Sequence, residues 1–147
     1  MPGVWKLMNA VRLPRSIVNQ LLLLARNSPE EEICGLISRD RNGFKKCYPV
    51  VNAAADKKHF FALDPKGQIE AMRCMREHGE ELGAIYHSHP DSPPLPSRAD
   101  IEQHEYPGVL YLIISLSTKG PLELRGFHIH GRETREVTVA LLDESIP

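Results

Sequence analysis

The stretch Val109–Ser115, Val-Leu-Tyr-Leu-Ile-Ile-Ser, constrains the fold more than any other part of the chain. In an extended backbone consecutive side chains point to opposite faces, so a continuous apolar run is apolar on both. Such a strand belongs inside a sheet that is covered on each side. The covering elements are present as helical patterns. Ile17, Val18, Leu21, Leu22, Leu24 and Ala25 recur at helical spacing. Pro14 suits the first turn of that helix, and Asn27-Ser28-Pro29 ends it, because proline disfavours helical backbone in the residue before it. Asp64-Pro65 opens a second helix with Ile69, Met72, Cys74 and Met75 inward, closed by Gly79 or Gly83. A third runs from about Ser97 to His104.

Further strands are predicted around the buried one. Met8–Leu13 fits an edge strand, and Ile33–Ser38 and Phe44–Val51 form a hairpin about the Asp40–Gly43 turn. His59–Leu63 is a short strand candidate, and Gly83–His89 a central strand. Leu122–His130 and Thr134–Leu141 complete the sheet on either side of Gly131. The expected architecture is α/β, a mixed β-sheet flanked by helices, with residues 1–147 forming a single domain.

Charge and cysteine usage narrow the function classes. Eighteen basic residues against nineteen acidic ones create no field to draw in nucleic acid or an anionic membrane. Cys34, Cys47 and Cys74 are an odd, widely spaced set with no Cys-x-x-Cys pair, which argues against a disulfide framework or a thiolate zinc site. The longest apolar run, Leu21–Ala25, is too short to span a membrane, and Met1–Arg15 lacks the pattern of a signal peptide. A cytoplasmic protein is expected.

The chemistry gathers at the end of the Gly83–His89 strand. His87 and His89 are two residues apart, so their imidazoles project from one face, side by side. Pro90 stops the strand directly after them, which leaves both rings at the sheet's edge. A loop holding Pro93, Pro94 and Pro96 leads back to a helix whose first turn carries Asp100. Two imidazoles and one carboxylate suit zinc and leave a tetrahedral ion one open position for water, as in a catalytic site. Ordinary alternatives exist for each part. A His-x-His pair on a strand is commonly two exposed histidines, and His128 and His130 are assigned that role. Ser97-x-x-Asp100 has the form of a helix cap. Cys34, in an apolar strand, is expected to be a small buried hydrophobe rather than a nucleophile.

His87-Ser88-His89-Pro90, six residues, then Ser97-Arg98-Ala99-Asp100 resembles the JAMM, or MPN-plus, motif His-Ser/Thr-His-Pro-x6-Ser-x-x-Asp. Glu32-Ile33-Cys34-Gly35-Leu36, Phe61-Ala62-Leu63-Asp64-Pro65 and Gly83-Ala84-Ile85-Tyr86 are also similar to segments of small bacterial members, so the likeness covers roughly residues 8–140. The resemblance implies an MPN fold, related to that of cytidine deaminases, and a zinc metallopeptidase with His87, His89 and Asp100 as ligands. Glu30, Glu31 and Glu32 are adjacent, and composition does not choose among them. The resemblance does: Glu32 matches the family's general base and acid, and Ser97 the serine that hydrogen-bonds the oxyanion.

For substrate, the compact chain is similar to bacterial enzymes that trim a ubiquitin-like sulfur-carrier protein at its Gly-Gly end. That implies hydrolysis of a peptide or isopeptide bond there, in a thin extended tail suited to lying along a sheet edge. The Asp91–Pro96 loop is either one wall of that channel or a rigid connector. The other readings are a cell-wall or phage-tail-type peptidase, a non-catalytic MPN scaffold and a nucleoside deaminase. The first lacks a murein-binding neighbour and the second is disfavoured by the intact ligand set. The third would need a Pro-Cys-x-x-Cys pair, which is absent.

Overall fold

The computed structural model describes residues 9–106, 108–117 and 121–143. Seven strands form one sheet: β1 (Ala10–Pro14), β2 (Cys34–Asp40), β3 (Gly43–Val50), β4 (Glu81–His89), β5 (Leu110–Ser115), β6 (Glu123–His130) and β7 (Glu133–Leu142). Their spatial order is β1-β7-β6-β5-β4-β2-β3. β5, the apolar run that demanded cover on both faces, is the middle strand, and all six of its residues are buried. β1–β7 and β4–β5 pair parallel and the remaining neighbours antiparallel.

Two helices supply the cover. α1 (Arg15–Asn27) buries Ile17, Val18, Leu21 and Ala25, a single stripe at spacings of one, three and four. It packs with Leu13, Ile37, Tyr86, Leu112 and Ile114 on one face of the sheet. The sheet curls so far that the edge strands β1 and β3 approach each other around this helix. Leu21 is wholly buried there, a contribution of roughly 1.5–3 kcal/mol. α2 (Pro65–Glu77) covers the other face through Ala71 and Met75, packed with Leu36, Ile85 and Tyr111. Asp64 caps it by accepting the Gly67 N–H at 3.1 Å. A six-residue helix, α3 (Arg98–Gln103), buries none of its residues. Among the described residues no helix is long and apolar enough to cross a membrane.

Five local expectations need correction. Pro14 is the last residue of β1 and the cap of α1, with ψ 137, so the helical backbone begins one residue later. The edge strand predicted from Met8 is seen from Ala10, its start lying outside the described residues. His59–Leu63 is not a strand: only Leu63 bridges to Asn52, while Asn52's side chain takes up backbone groups that a ladder would use. Ile69 is 67% exposed rather than inward, because it lies two residues from Ala71, about 200° around the helix. His128 is buried in β6 and only His130 is exposed, since the Gly126–Ile129 stretch is covered on both faces. Burial holds the His128 imidazole below its ordinary pKa.

Candidate metal centre

The β4–β5 pair is parallel, so the carboxyl ends of two central strands open at the same edge, His89 opposite Ser115. That edge is where open α/β sheets commonly place a site. His87 and His89 are both buried there, with Nε2 atoms 3.1 Å apart. Asp100 Oδ2 lies 3.1 Å from the first Nε2 and 3.3 Å from the second. Two bonds of 2.0–2.1 Å at a tetrahedral zinc subtend an edge of roughly 3.3 Å. The three atoms therefore form a triangle of the size that one small cation would share, with a fourth vertex open.

Each donor is oriented by a partner. His89 Nδ1 donates to the Pro93 carbonyl at 2.8 Å, which leaves Nε2 as the lone-pair nitrogen of the neutral ring. The proline-rich loop thus fixes a tautomer as well as connecting two elements. Ser115 Oγ anchors that loop by donating to the Ser92 carbonyl at 2.7 Å. The His87 ring stacks on Phe61, centroids 4.3 Å apart and nearly coplanar in orientation at 18°. Ser97 and Asp100 form a reciprocal capping box at the start of α3: Asp100 N–H donates to Ser97 Oγ at 3.0 Å, and Ser97 N–H to Asp100 Oδ2 at 2.8 Å. A hydroxyl accepts through its lone pairs and keeps its own proton to donate. Capping therefore does not consume the group an oxyanion would need.

Glu32 stands immediately before β2, which pairs antiparallel with β4, Cys34 opposite His87. Glu30 and Glu31 are exposed while Glu32 is buried. Its donor oxygen and one nitrogen of each of His87 and His89 all lie within 4.8 Å of one another. Glu32 Oε1 and His87 Nδ1 have no hydrogen-bond partner despite being buried. A buried, unpartnered carboxyl oxygen facing two imidazoles is what a group of hydrated cationic character would satisfy.

The electrostatics separate the two acids. Burial pushes the Glu32 carboxyl up to about 8, with His89 opposing the shift only in part. Burial acts on Asp100 in the same sense, yet His87, His89 and the Ser97 N–H together hold it well below the usual carboxylate range. For His89, burial disfavours the charged ring, but Asp100 and the Pro93 carbonyl outweigh this and raise its pKa. Asp100 is thus held as an anion, whereas burial favours the protonated form of Glu32.

A cavity of about 430 Å³ opens beside His87 and Asp100, lined among others by Phe60, Phe61, Ile85, Gln68, Tyr106 and Tyr111. The structure thus brings His87, His89, Asp100, Glu32 and Ser97 to one edge. Sequence reasoning missed the supporting groups. Ser88 Oγ accepts the Ile33 N–H at 2.8 Å, and alternation along β4 was the available signal that it points away from its histidine neighbours. The Pro93 carbonyl carried no signal, because it acts through tertiary placement, and the Phe61 segment stood out by its likeness without showing that its ring meets His87.

Residues 14–127 match the family described as prokaryotic homologs of the JAB domain. The chain is 32% identical over 119 residues to the desampylase of Haloferax volcanii, covering 80% of this chain and 83% of that protein. It is 27% identical over 130 residues to the CysO-cysteine peptidase of Mycobacterium bovis, covering 87% and 88%. The fold is similar to a solved JAB1/MPN domain protein of Archaeoglobus fulgidus, with a TM-score of 0.58 at 15% identity over 90% of this chain and 97% of that one.

Proposed function

The chain belongs to the family of prokaryotic JAB-domain homologs, and on that premise we propose that it is a zinc-dependent peptidase or isopeptidase acting at the Gly-Gly C-terminus of a ubiquitin-like sulfur-carrier protein. The observation that carries this reading is the triangle of His87, His89 and Asp100 with the unpartnered Glu32 carboxyl beside it. A desampylase and a CysO-cysteine peptidase among the relatives support the substrate class.

His87, His89 and Asp100 would hold the metal, which when bound supplies a Lewis acid to polarise the scissile carbonyl and the attacking water. Glu32 accepts the water's proton and returns it to the departing amine. A buried carboxyl within reach of both imidazoles, with one oxygen unpartnered, is placed for both halves of that task. Ser97 donates its hydroxyl proton to the carbonyl oxygen as negative charge develops there. The site lies at the carboxyl ends of the central strands β4 and β5, where an extended tail with tiny side chains can bring its carbonyl up to the triangle without clashing. That favours Gly-Gly just before the cut.

The test uses the zinc-loaded chain and ubiquitin-like carriers ending in Gly-Gly followed by cysteine, or joined through that glycine to a lysine. Mass spectrometry reads the new C-terminus. Cleavage directly after Gly-Gly is expected, with strong slowing when the second glycine is replaced by valine. Glu32→Gln should keep the metal and lose activity by a factor on the order of 10²–10⁴. Equal cleavage of the valine carrier, or turnover of cell-wall peptides alone, would overturn the carrier-protein reading. Full activity in Glu32→Gln would overturn the assignment of the proton.

A further inference from the structure

Asn52 follows β3 and is buried, 8% exposed, although it is not one of the proposed ligands. A side-chain amide has two N–H donors and two acceptor lone pairs, and in Asn52 all four are used. Its Oδ1 accepts the Ala54 N–H at 2.9 Å and the Ala62 N–H at 3.1 Å. Its Nδ2 donates to the Glu32 carbonyl at 2.9 Å and the Phe60 carbonyl at 3.0 Å. Both partners of Oδ1 are donors and both partners of Nδ2 are carbonyls, so the network itself assigns the amide's orientation.

Among the described residues, these are the side-chain hydrogen bonds that join two parts of the site. One is the Glu32 peptide, whose N–H donates to the Lys57 carbonyl at 2.7 Å and whose successor, Ile33, is held by Ser88. The other is the Phe60–Leu63 segment, which walls the cavity and carries the Phe61 ring against His87. No other residue type makes the same set. Aspartate has the shape but would set an oxygen against two carbonyls with no proton to offer, and serine is too short to span both sides.

We propose that Asn52 is a positioning residue that holds the Glu32 backbone and the cavity wall in one frame, acting on the reaction through Glu32. The inference rests on Glu32 as the proton carrier. An acid a fraction of an ångström out of place transfers protons poorly while the metal site stands unchanged.

The experiment is a double-mutant cycle on the full chain loaded with zinc, comparing wild type, Asn52→Ser, Glu32→Gln and the pair. Circular dichroism and metal stoichiometry are read beside kinetics. Asn52→Ser should fold, carry about as much zinc as wild type and lose tenfold or more in kcat, with KM changed less than twofold. In the Glu32→Gln background the same substitution should add less than twofold. Ser88→Ala, which releases the neighbouring Ile33 N–H, should give the same split from the opposite side. Equal losses in both backgrounds would overturn the proposal, as would an unchanged kcat. If both Asn52→Ser and Ser88→Ala lose fold or metal, Asn52 is a structural residue and the proposal falls. A fully active Glu32→Gln would instead remove the reading beneath it, so the two failures are distinct.

Discussion

Glu32 is one of three consecutive acids, and burial separates it from the other two. Charge and composition along the chain could not make that choice, because it depends on where β2 enters the sheet relative to β4. The distinction has a measurable consequence in the metal-free protein. Glu32 titrates near 8 when folded, against an ordinary value of 4.5. Between those values the folded state holds a proton that the unfolded chain has released, so stability falls as pH rises from about 4.5 to about 8. Urea unfolding of chelator-treated protein at pH 5 and pH 8 should show that loss in wild type and a smaller one in Glu32→Gln. Glu30→Gln and Glu31→Gln should keep the wild-type slope and close to wild-type activity. Parallel slopes in wild type and Glu32→Gln would show that the buried acid lies elsewhere.

At the level of elements, most of the fold was legible because its signals are local. The β5 run, the α1 stripe and the turn at Gly131 each declare themselves within a dozen residues. Boundaries moved by a residue or two, as at Pro14, where the ring tolerates strand and helix start alike. His59–Leu63 misled for a different reason: its residue types suit a strand, but it forms a single backbone bridge at Leu63, and the Asn52 side chain takes the Phe60 carbonyl and the Ala62 N–H. The glycine of Cys34-Gly35-Leu36 shows what patterning hides. A methyl group at Gly35 would overlap the Tyr86 hydroxyl and the Tyr48 carbonyl, so β2, β3 and β4 close over that position. The Tyr86 hydroxyl accepts from Cys47 Sγ at 3.3 Å and has little room to withdraw. Gly35→Ala should therefore lower unfolding stability by about 1–3 kcal/mol, the usual cost of overpacking a core. Chemical denaturation measures it, and a neutral result would mean the three strands part more easily than their packing indicates.

Over the whole molecule, the centre ties elements that otherwise touch little. α3 buries no residue fully and is held over β4 by Asp100, which reaches both imidazoles, and by Ile101, which packs on the cluster around Ile85. An ion shared by β4 and α3 would stabilise the folded chain by mass action, about 2.7 kcal/mol at a free concentration one hundred times the Kd. Zinc should accordingly raise the melting temperature of wild type and leave a His87→Ala, His89→Ala double variant unmoved. An equal shift in both would place the ion elsewhere. The triangle of His87, His89 and Asp100, the proposed ligands, was legible in the sequence because its spacing is short and punctuated by prolines. The clamp on Glu32 was not, because Asn52, Ser88 and the acid are brought together only by the pairing of strands. That difference in separation carries a consequence for the order of assembly. His87 and Asp100 are thirteen positions apart, whereas the Ile33–Ser88 contact that seats the acid spans 55. Closing the shorter loop costs less entropy, so the ion's pocket is expected to close before the acid is seated, an order that zinc uptake and recovery of activity followed together during refolding would check. A chain damaged in β2 or β3 would then still sequester zinc as an inert species, and metal content alone would overstate how much of a preparation is working enzyme.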